Sequence, residues 1–502
     1  MGMRKNRSLG WIAAGFLGGI LVSLGITAAA QKGEPLPLKS LQQFANVYGA
    51  IKSSYVEPVA DQVLMDDAIK GLFADLDPHS VYLDEEAYKQ MQDITRGGFG
   101  GLGIEIGTQD GMPKVIAPIE DTPAARAGIL TGDLITQING EPTKGMSLND
   151  AVKKMRGEPG TPIDLTVERA GSPKPLKFHI VREMIKTRSV RGKMLAHDIA
   201  YVRISQFQDR TTTDLVKMLS DLSKKQAPKG LVLDLRNDPG GLLDGAIGVT
   251  SAFIDSGKLV VSTKGRIPSS NEEFYARSLN SSHGVDAGVT LPSWTRTVPM
   301  VVLVNVGSAS ASEIVAGALQ DYKRAQIIGN RTFGKGSVQS VLQLSKDTGI
   351  KLTTARYYTP NGRSIQNTGV APDHVVDDSA AGNLFRIQRE VDLQHHLTNQ
   401  AAQQTDKDDE NDFVPGEIKM FEFGGADDWQ LQQALNALQG RPVLKSDPAQ
   451  VRQARAATDK ENSAKPAPSA SRPAPAEKKT LNNGSGAVEH YRITPEGMIK
   501  VQ

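Results

Sequence analysis

Residues 299–319, PMVVLVNVGSASASEIVAGAL, read as a buried strand that runs into a helix through a stretch of small residues. Met300–Val304 is an unbroken apolar run, the pattern of a strand covered on both faces. Ile314, Val315, Ala318 and Leu319 keep helical spacing after it. At such a junction, small residues let one side chain stand exposed above the sheet while another backbone comes close. The amides at the start of the helix favour negative charge at that point. Three serines, Ser308, Ser310 and Ser312, compete there for the role of a nucleophile. Their plainer reading is capping, since Ser310 is followed three residues on by Glu313, a capping-box spacing.

A serine needs a base. The chain holds no Gly-x-Ser-x-Gly elbow, and its eight histidines fall into no catalytic or zinc-binding pattern. His79, in Asp77-Pro78-His79-Ser80, reads as structural. Lysine is the remaining candidate, provided that a dry pocket lowers its pKa from about 10.4. Lys335 lies in residues 329–337, GNRTFGKGS, which imitate a phosphate-binding loop as far as the lysine. Gly336 then stands where a hydroxyl should hold magnesium, and the alternating VQSVLQL of residues 338–344 predicts a strand rather than the helix that such a loop needs. Nucleotide binding is therefore set aside, and no cofactor or metal is expected. Gln339, four residues on, would share a face with Lys335 if the strand begins early, and a neutral amide could orient the amine.

Working outward, residues 199–376 alternate apolar strands with helical segments, as an α/β domain does. Leu231–Leu235 is the other clear strand. The polar stretch 265–297 is too long for a simple connection and predicts a surface insertion or lid. Residues 100–106, GGLGIEI, place small residues in a loop that opens onto a strand, able to aim several N–H groups at one anion. An extended peptide could add to that strand. Residues 132–140, GDLITQING, follow with a tight hairpin signal at Asn139-Gly140.

These motifs resemble two known families. GLGI with GDLITQING resembles a PDZ domain over roughly 96–184, which implies that the amides of Leu102, Gly103 and Ile104 capture a C-terminal carboxylate. GSASASEI (307–314), FGKGSVQ (333–339), DLRNDPGG (234–241) and the embedded PDZ-like segment together resemble the carboxy-terminal processing, or tail-specific, proteases. The resemblance runs from about Leu38 to Asp377. It implies a serine endopeptidase with a crotonase-like α/β core, in which Ser310 is the nucleophile, Lys335 the general base and Gln339 its positioning partner. Ala311 N–H with Gly240 or Gly241 N–H would form the oxyanion hole. Ser308 and Ser312 remain the second and third choices of nucleophile.

The fold class expected is multidomain α/β, with an inserted PDZ-like domain and flanking helices. The parts are a signal peptide or signal anchor (1–30), a helical region (35–95), the PDZ domain (96–184), the protease core (185–378), a second helical region (379–450), an Ala/Pro/Lys linker (451–480) and an unassigned tail (481–502). Arg4, Lys5 and Arg7 before the uncharged Leu9–Ala30 mark export to the cell envelope, with cleavage after Ala30 or membrane anchoring both open. Gly2 is no myristoylation site, because Asn6 replaces the required hydroxyl. With 58 Lys plus Arg against 56 Asp plus Glu, nothing points to nucleic acid. The chain has no cysteine, so disulfides and a thiol nucleophile are excluded. Asp406, Asp408, Glu410 and Glu417 imitate a calcium loop, but Asn411 replaces its glycine and a solvated acidic run is expected. The expected partners are protein substrates held by their C-terminal tails, with room left for an adaptor protein. The rival readings are an inactive PDZ scaffold on a hydrolase fold and a crotonase-like acyl-CoA enzyme. The latter leaves the PDZ-like insertion and the export signal unexplained.

Overall fold

The structure is a computed structural model that describes residues 37–452, except 110, 120, 170, 173, 187, 280–284, 287, 384–387 and 400–420, together with the backbone of 490–494 and 497–501. The export segment, the calcium-like run and nearly all of the 451–480 linker lie outside the described residues. In the tail, His490–Thr494 and Gly497–Val501 pair as an antiparallel hairpin.

The core is a six-stranded sheet in the order Val190–Leu195, Ile199–Ile204, Gly230–Asp234, Met300–Val304, Gln326–Gly329, His374–Val375. The first pair is antiparallel and the others parallel. Alternate residues of the apolar runs serve opposite faces, because successive strand side chains point to opposite sides. Leu231, Leu233, Met300, Val302 and Val304 pack with Leu215, Val249 and Val315 of the helices Thr211–Leu222, Leu243–Ser251 and Ala311–Asp321. Val232, Val301 and Leu303 face the other way, onto Leu431 and Ala434 of the helix Trp429–Leu438. Each such buried side chain contributes about 1.5–3 kcal/mol of burial energy.

A second, antiparallel sheet lies beside the core, in the order Val81–Leu83, Gly349–Tyr358, Leu259–Gly265, Glu272–Tyr275, with Ser337–Gln343 also paired to Gly349–Tyr358. The expected lid segment thus holds a 3-10 turn, Pro268–Ser270, and then a strand, Glu272–Tyr275, fastened by a two-pronged pair between Arg277 and Asp244. The PDZ-like region has its own core of Val115, Ile135, Ile138, Ile163, Leu165 and Val167. It enters and leaves through paired strands, Gly98–Gly101 against Glu183–Lys186, which fix it as an insertion between the helix Glu85–Arg96 and the core. Further upstream are the helices Leu38–Ser54 and Asp61–Gly71, which bury none of their residues.

The helical expectation for 379–450 needs correction. Among the described residues, Trp429–Leu438 is the longest helix there, 448–452 is a short helical stretch, and 379–383 and 388–399 form turns with one 3-10 segment, Glu390–Asp392. The side chains of that stretch serve the core instead: Glu390 is buried and bonded to His79 and Gln366. Tertiary bonds override helical spacing.

The Trp429–Leu438 helix is joined to the sheet by charge as well as by packing. Arg236, 0% exposed, donates to both oxygens of Asp234 and to both oxygens of Asp428, at 2.6–3.0 Å. Burial pushes the Asp234 carboxyl up, but Arg236 and Arg203 more than offset it and hold it below the usual carboxylate range. Asp428 also caps the helix by accepting from Leu431 N–H at 3.0 Å. Removing one partner of a buried ion pair leaves an uncompensated charge. Asp428→Ala is therefore expected to cost about 3–5 kcal/mol in urea unfolding, with Asp428→Asn milder. A loss below about 1 kcal/mol would show that Asp234 alone satisfies Arg236.

Candidate active site

The strand Met300–Val304 and the helix Ala311–Asp321 meet at Ser310, as the sequence suggests, in a strained turn. Ser310 has φ 55° and ψ −112°, a left-handed-side conformation that non-glycine residues adopt only when their surroundings impose it. The result is an elbow built without the Gly-x-Ser-x-Gly motif. Its neighbours are spoken for: Ser308 Oγ donates to Leu235 O at 2.8 Å, and Ser312 Oγ donates to Asp238 O at 2.9 Å. Both are fully buried, whereas Ser310 is half-buried.

Glu313 does more than cap. Its carboxylate is completely buried, and one oxygen, Oε2, accepts the backbone N–H of both Ser310 (2.8 Å) and Lys335 (3.0 Å). The other, Oε1, accepts Gly334 N–H at 2.7 Å and Thr332 Oγ at 2.5 Å. Burial pushes this carboxyl up to about 7, and the four donors act in the opposite direction. On the far side, the Tyr357 hydroxyl reaches the backbone carbonyls of both Ser310 and Lys335. One carboxylate and one phenol thus gather two segments separated by 24 intervening positions in the chain.

The glycines around Lys335 are explained by this docking. A Cβ on Gly336 would lie 2.4 Å from Gln366 N, so only glycine allows the loop to approach that closely. Burial pushes the Lys335 amine down to about 8, assisted by the charge of Lys351, while Glu390, Glu313 and Asp77 oppose the shift. The sequence offered desolvation alone as a cause; Lys351, on the strand Gly349–Tyr358, supplies a cation that no local pattern announces.

The expectation that Gln339 shares a face with Lys335 through early strand pairing is not met. The strand begins at Ser337, after Lys335, and its register against Gly349–Tyr358 shifts between Val338 and Gln339, so simple alternation does not carry across. The Gln339 Nε2 group donates to Ser337 Oγ (3.0 Å) and Thr353 Oγ (3.3 Å). No hydrogen bond joins the Ser310, Lys335 and Gln339 side chains to one another among the described residues.

The loop after Gly230–Asp234 brings Gly240 against Ser310. A Cβ at Gly240 would stand 2.9 Å from both Ser310 Cβ and Ala311 N. Of the two glycines, Gly240 has its N–H committed to Asp238 Oδ1 at 2.9 Å. The N–H groups of Gly241 and Ala311 carry no hydrogen bond within the described chain. Asp238, missed in the sequence although quoted within DLRNDPGG, is buried and pushed up to about 8 by desolvation.

In the PDZ-like region, Ile104–Gln109 is an edge strand of the sheet that continues through Met112–Pro118. Ile119 N–H donates to Gly103 O at 2.8 Å, which makes Ile104 and Pro118 a non-hydrogen-bonded pair and turns Ile104 N–H to the open edge. The N–H groups of Leu102 and Gly103 carry no hydrogen bond within the described chain.

Known proteins share this organisation. Residues 198–376 match peptidase family S41, residues 114–169 match the PDZ domain, and residues 24–87 match the activating protease CtpB N-terminal domain. The carboxy-terminal-processing protease of Bartonella bacilliformis is 42% identical over 436 residues, covering 85% of this chain and 95% of that protein. Carboxy-terminal processing protease CtpB of Bacillus subtilis is 34% identical over 338 residues, 66% of this chain and 67% of that one. Among solved structures, the photosystem II D1 C-terminal processing protease is 30% identical, covering 66% of this chain and 92% of its own, with a TM-score of 0.38. The chain belongs to the carboxy-terminal processing proteases, and is a serine-type peptidase of family S41 that carries a PDZ domain.

Proposed function

We propose that Ser310 is the nucleophile and Lys335 its general base, in an enzyme that cuts protein substrates held by their C-terminal tails. The observation that carries this reading is the Glu313 carboxylate, which accepts the backbone N–H of Ser310 and Lys335 on one oxygen. Neutral Lys335 Nζ takes the Ser310 proton as Oγ bonds to the scissile carbonyl carbon. The N–H groups of Ala311 and Gly241 stabilise the oxyanion, and Gly240, whose own amide is committed to Asp238, lines the approach. Collapse breaks the C–N bond, and the lysine returns its proton to the leaving amine. Water then gives its proton to Lys335 as it attacks the acyl carbon, the Ser310 Oγ–acyl bond breaks, and the lysine returns the proton to Ser310 Oγ. Gln339 orients the amine. Hydrogen bonds of this kind are often long without substrate and tighten in the complex.

Ser310→Ala is expected to lower peptide cleavage by at least about a thousandfold while leaving folding intact, as removal of a nucleophile does. Activity in Ser310→Ala, with loss in Ser308→Ala or Ser312→Ala, would move the nucleophile.

The pH dependence follows from Lys335. The amine must be neutral to act, and its pKa is about 8. It is protonated below that value and neutral above it, so kcat/KM should rise with pH through about 8 and level off. Lys335→Arg keeps the charge but cannot release its proton in this range, so it should be inactive. Gln339→Ala should cost less than Lys335→Ala. Near-normal turnover in Lys335→Arg would exclude the lysine as base.

For the PDZ domain, the proposal is that Leu102, Gly103 and Ile104 N–H groups hold the substrate's terminal carboxylate while its chain adds to the Ile104–Gln109 edge. Charge-assisted bonds of this kind contribute about 1.5–3 kcal/mol each. Amidating the C-terminus of a model substrate should raise KM by about tenfold or more. Equal kinetics for acid and amide would remove the tail from recognition by this loop.

The basic, then uncharged, N-terminus supports export to the cell envelope, as a cleaved signal or a membrane anchor. No helix among the described residues is long and apolar enough to cross a membrane.

A further inference from the structure

The turn Asp77-Pro78-His79-Ser80 lies far from the active-site segments in sequence, yet two hydrogen-bonded relays link it to them. Asp77, 6% exposed, accepts four hydrogen bonds. Three are local, from His79 N–H and Ser80 N–H to Oδ1, both at 2.9 Å, and from Ser80 Oγ to Oδ2 at 2.6 Å. The fourth comes from across the fold: Thr353 Oγ donates to Asp77 Oδ1 at 3.0 Å. Thr353 Oγ in turn receives Gln339 Nε2 at 3.3 Å. His79 reaches the same region by another route. Its Nε2 meets Glu390 Oε2 at 2.7 Å, Glu390 Oε1 accepts Gln366 Nε2 at 2.9 Å, and Gln366 Oε1 accepts the N–H of Gly336, next to Lys335, at 2.9 Å.

We propose that Asp77, acting through Thr353, is a positioning residue that sets which way the Gln339 amide faces and so orients the Lys335 amine. A carboxylate only accepts, so the single proton of Thr353 Oγ is drawn to Asp77. Thr353 Oγ can then only accept from Gln339, which commits the amide's Nε2 side to Thr353 and Ser337. What remains is Oε1, an acceptor with no hydrogen bond within the described chain. A neutral amine has two protons and one lone pair. When Oε1 accepts one of those protons, the lone pair is left for the serine hydroxyl. With the amide reversed, Nε2 would donate to that lone pair and compete with the reaction. The expected effect is on turnover rather than on substrate binding, because Thr353 and Asp77 touch neither the tail groove nor the scissile bond in this scheme.

This inference rests on the reading of Lys335 as the base, and its test separates the two. The full chain would be assayed for kcat, KM and Tm as wild type, Thr353→Val, Thr353→Ser and Thr353→Val/Gln339→Ala, beside Lys335→Arg. Valine keeps the shape of threonine and suits a strand, but removes the hydroxyl. Thr353→Val should lower kcat about 10- to 100-fold with KM and Tm nearly unchanged, as misorientation of a catalytic group does. Thr353→Ser should restore most of the rate. In the Gln339→Ala background, Thr353→Val should add little, because both act through one amide. Wild-type kcat in Thr353→Val while Lys335→Arg is inactive would overturn the positioning role alone. Equal losses of kcat and Tm in the valine and serine variants would likewise overturn it, as the signature of a structural defect. An active Lys335→Arg would overturn the base and this inference with it.

Discussion

The site depends on one buried carboxylate. Glu313 is wholly out of water, and an unpaired polar group there would be expensive. Its two oxygens instead accept Ser310, Lys335 and Gly334 N–H and the Thr332 hydroxyl. Because one oxygen serves the backbone of both Ser310 and Lys335, the helix start and the 332–337 loop cannot shift independently without losing a bond to it. The strained backbone of Ser310 is affordable under such constraint, with Tyr357 bound to the carbonyls of the same two residues.

The scaffold meets that demand by burying its central strands on both faces. Charges inside it are matched rather than avoided: Arg236 with Asp234 and Asp428, and Arg203 beside Asp234 at 3.2 Å. This cluster sits where the Gly230–Asp234 strand passes into the glycine loop next to Ser310, so the distant segment carrying Asp428 stabilises the base of that loop. The N-terminal turn at Asp77 and His79 contributes from the opposite end of the chain. Three regions well separated in sequence therefore converge on the surroundings of a single serine and lysine.

Much of this was legible in local pattern. The apolar run at 300–304 and the helical spacing after it are short-range signals, and the strand and helix stand where they predict. The failure of the phosphate-loop reading at Gly336 was also local, and Ser337–Gln343 is a strand. The two PDZ-like motifs sit on a separate small core. Other expectations failed where the deciding contact is remote. Alternation could not relate Gln339 to Lys335, because a register shift lies between them. The helical expectation fails at 388–399, where Glu390 bonds to His79 and Gln366 instead. Gly240 and Gly241 are equivalent as letters, and only the Asp238 side chain distinguishes their amides.

By itself, the sequence determined which elements form and which residue types are available for chemistry: a chain without cysteine, a small-residue strand–helix junction, a glycine-flanked lysine and a glycine-rich loop that opens onto a strand. Those follow from periodicity, side-chain size and the absence of alternatives, all of which act over a few residues. Only the tertiary structure decided which serine keeps its hydroxyl clear of a carbonyl, which glycine amide is left unpaired, and what lowers the lysine's pKa. Each of these depends on burial and on hydrogen bonds between segments tens to hundreds of residues apart. A buried group's state is set by whatever happens to surround it in space, and no local pattern carries that information.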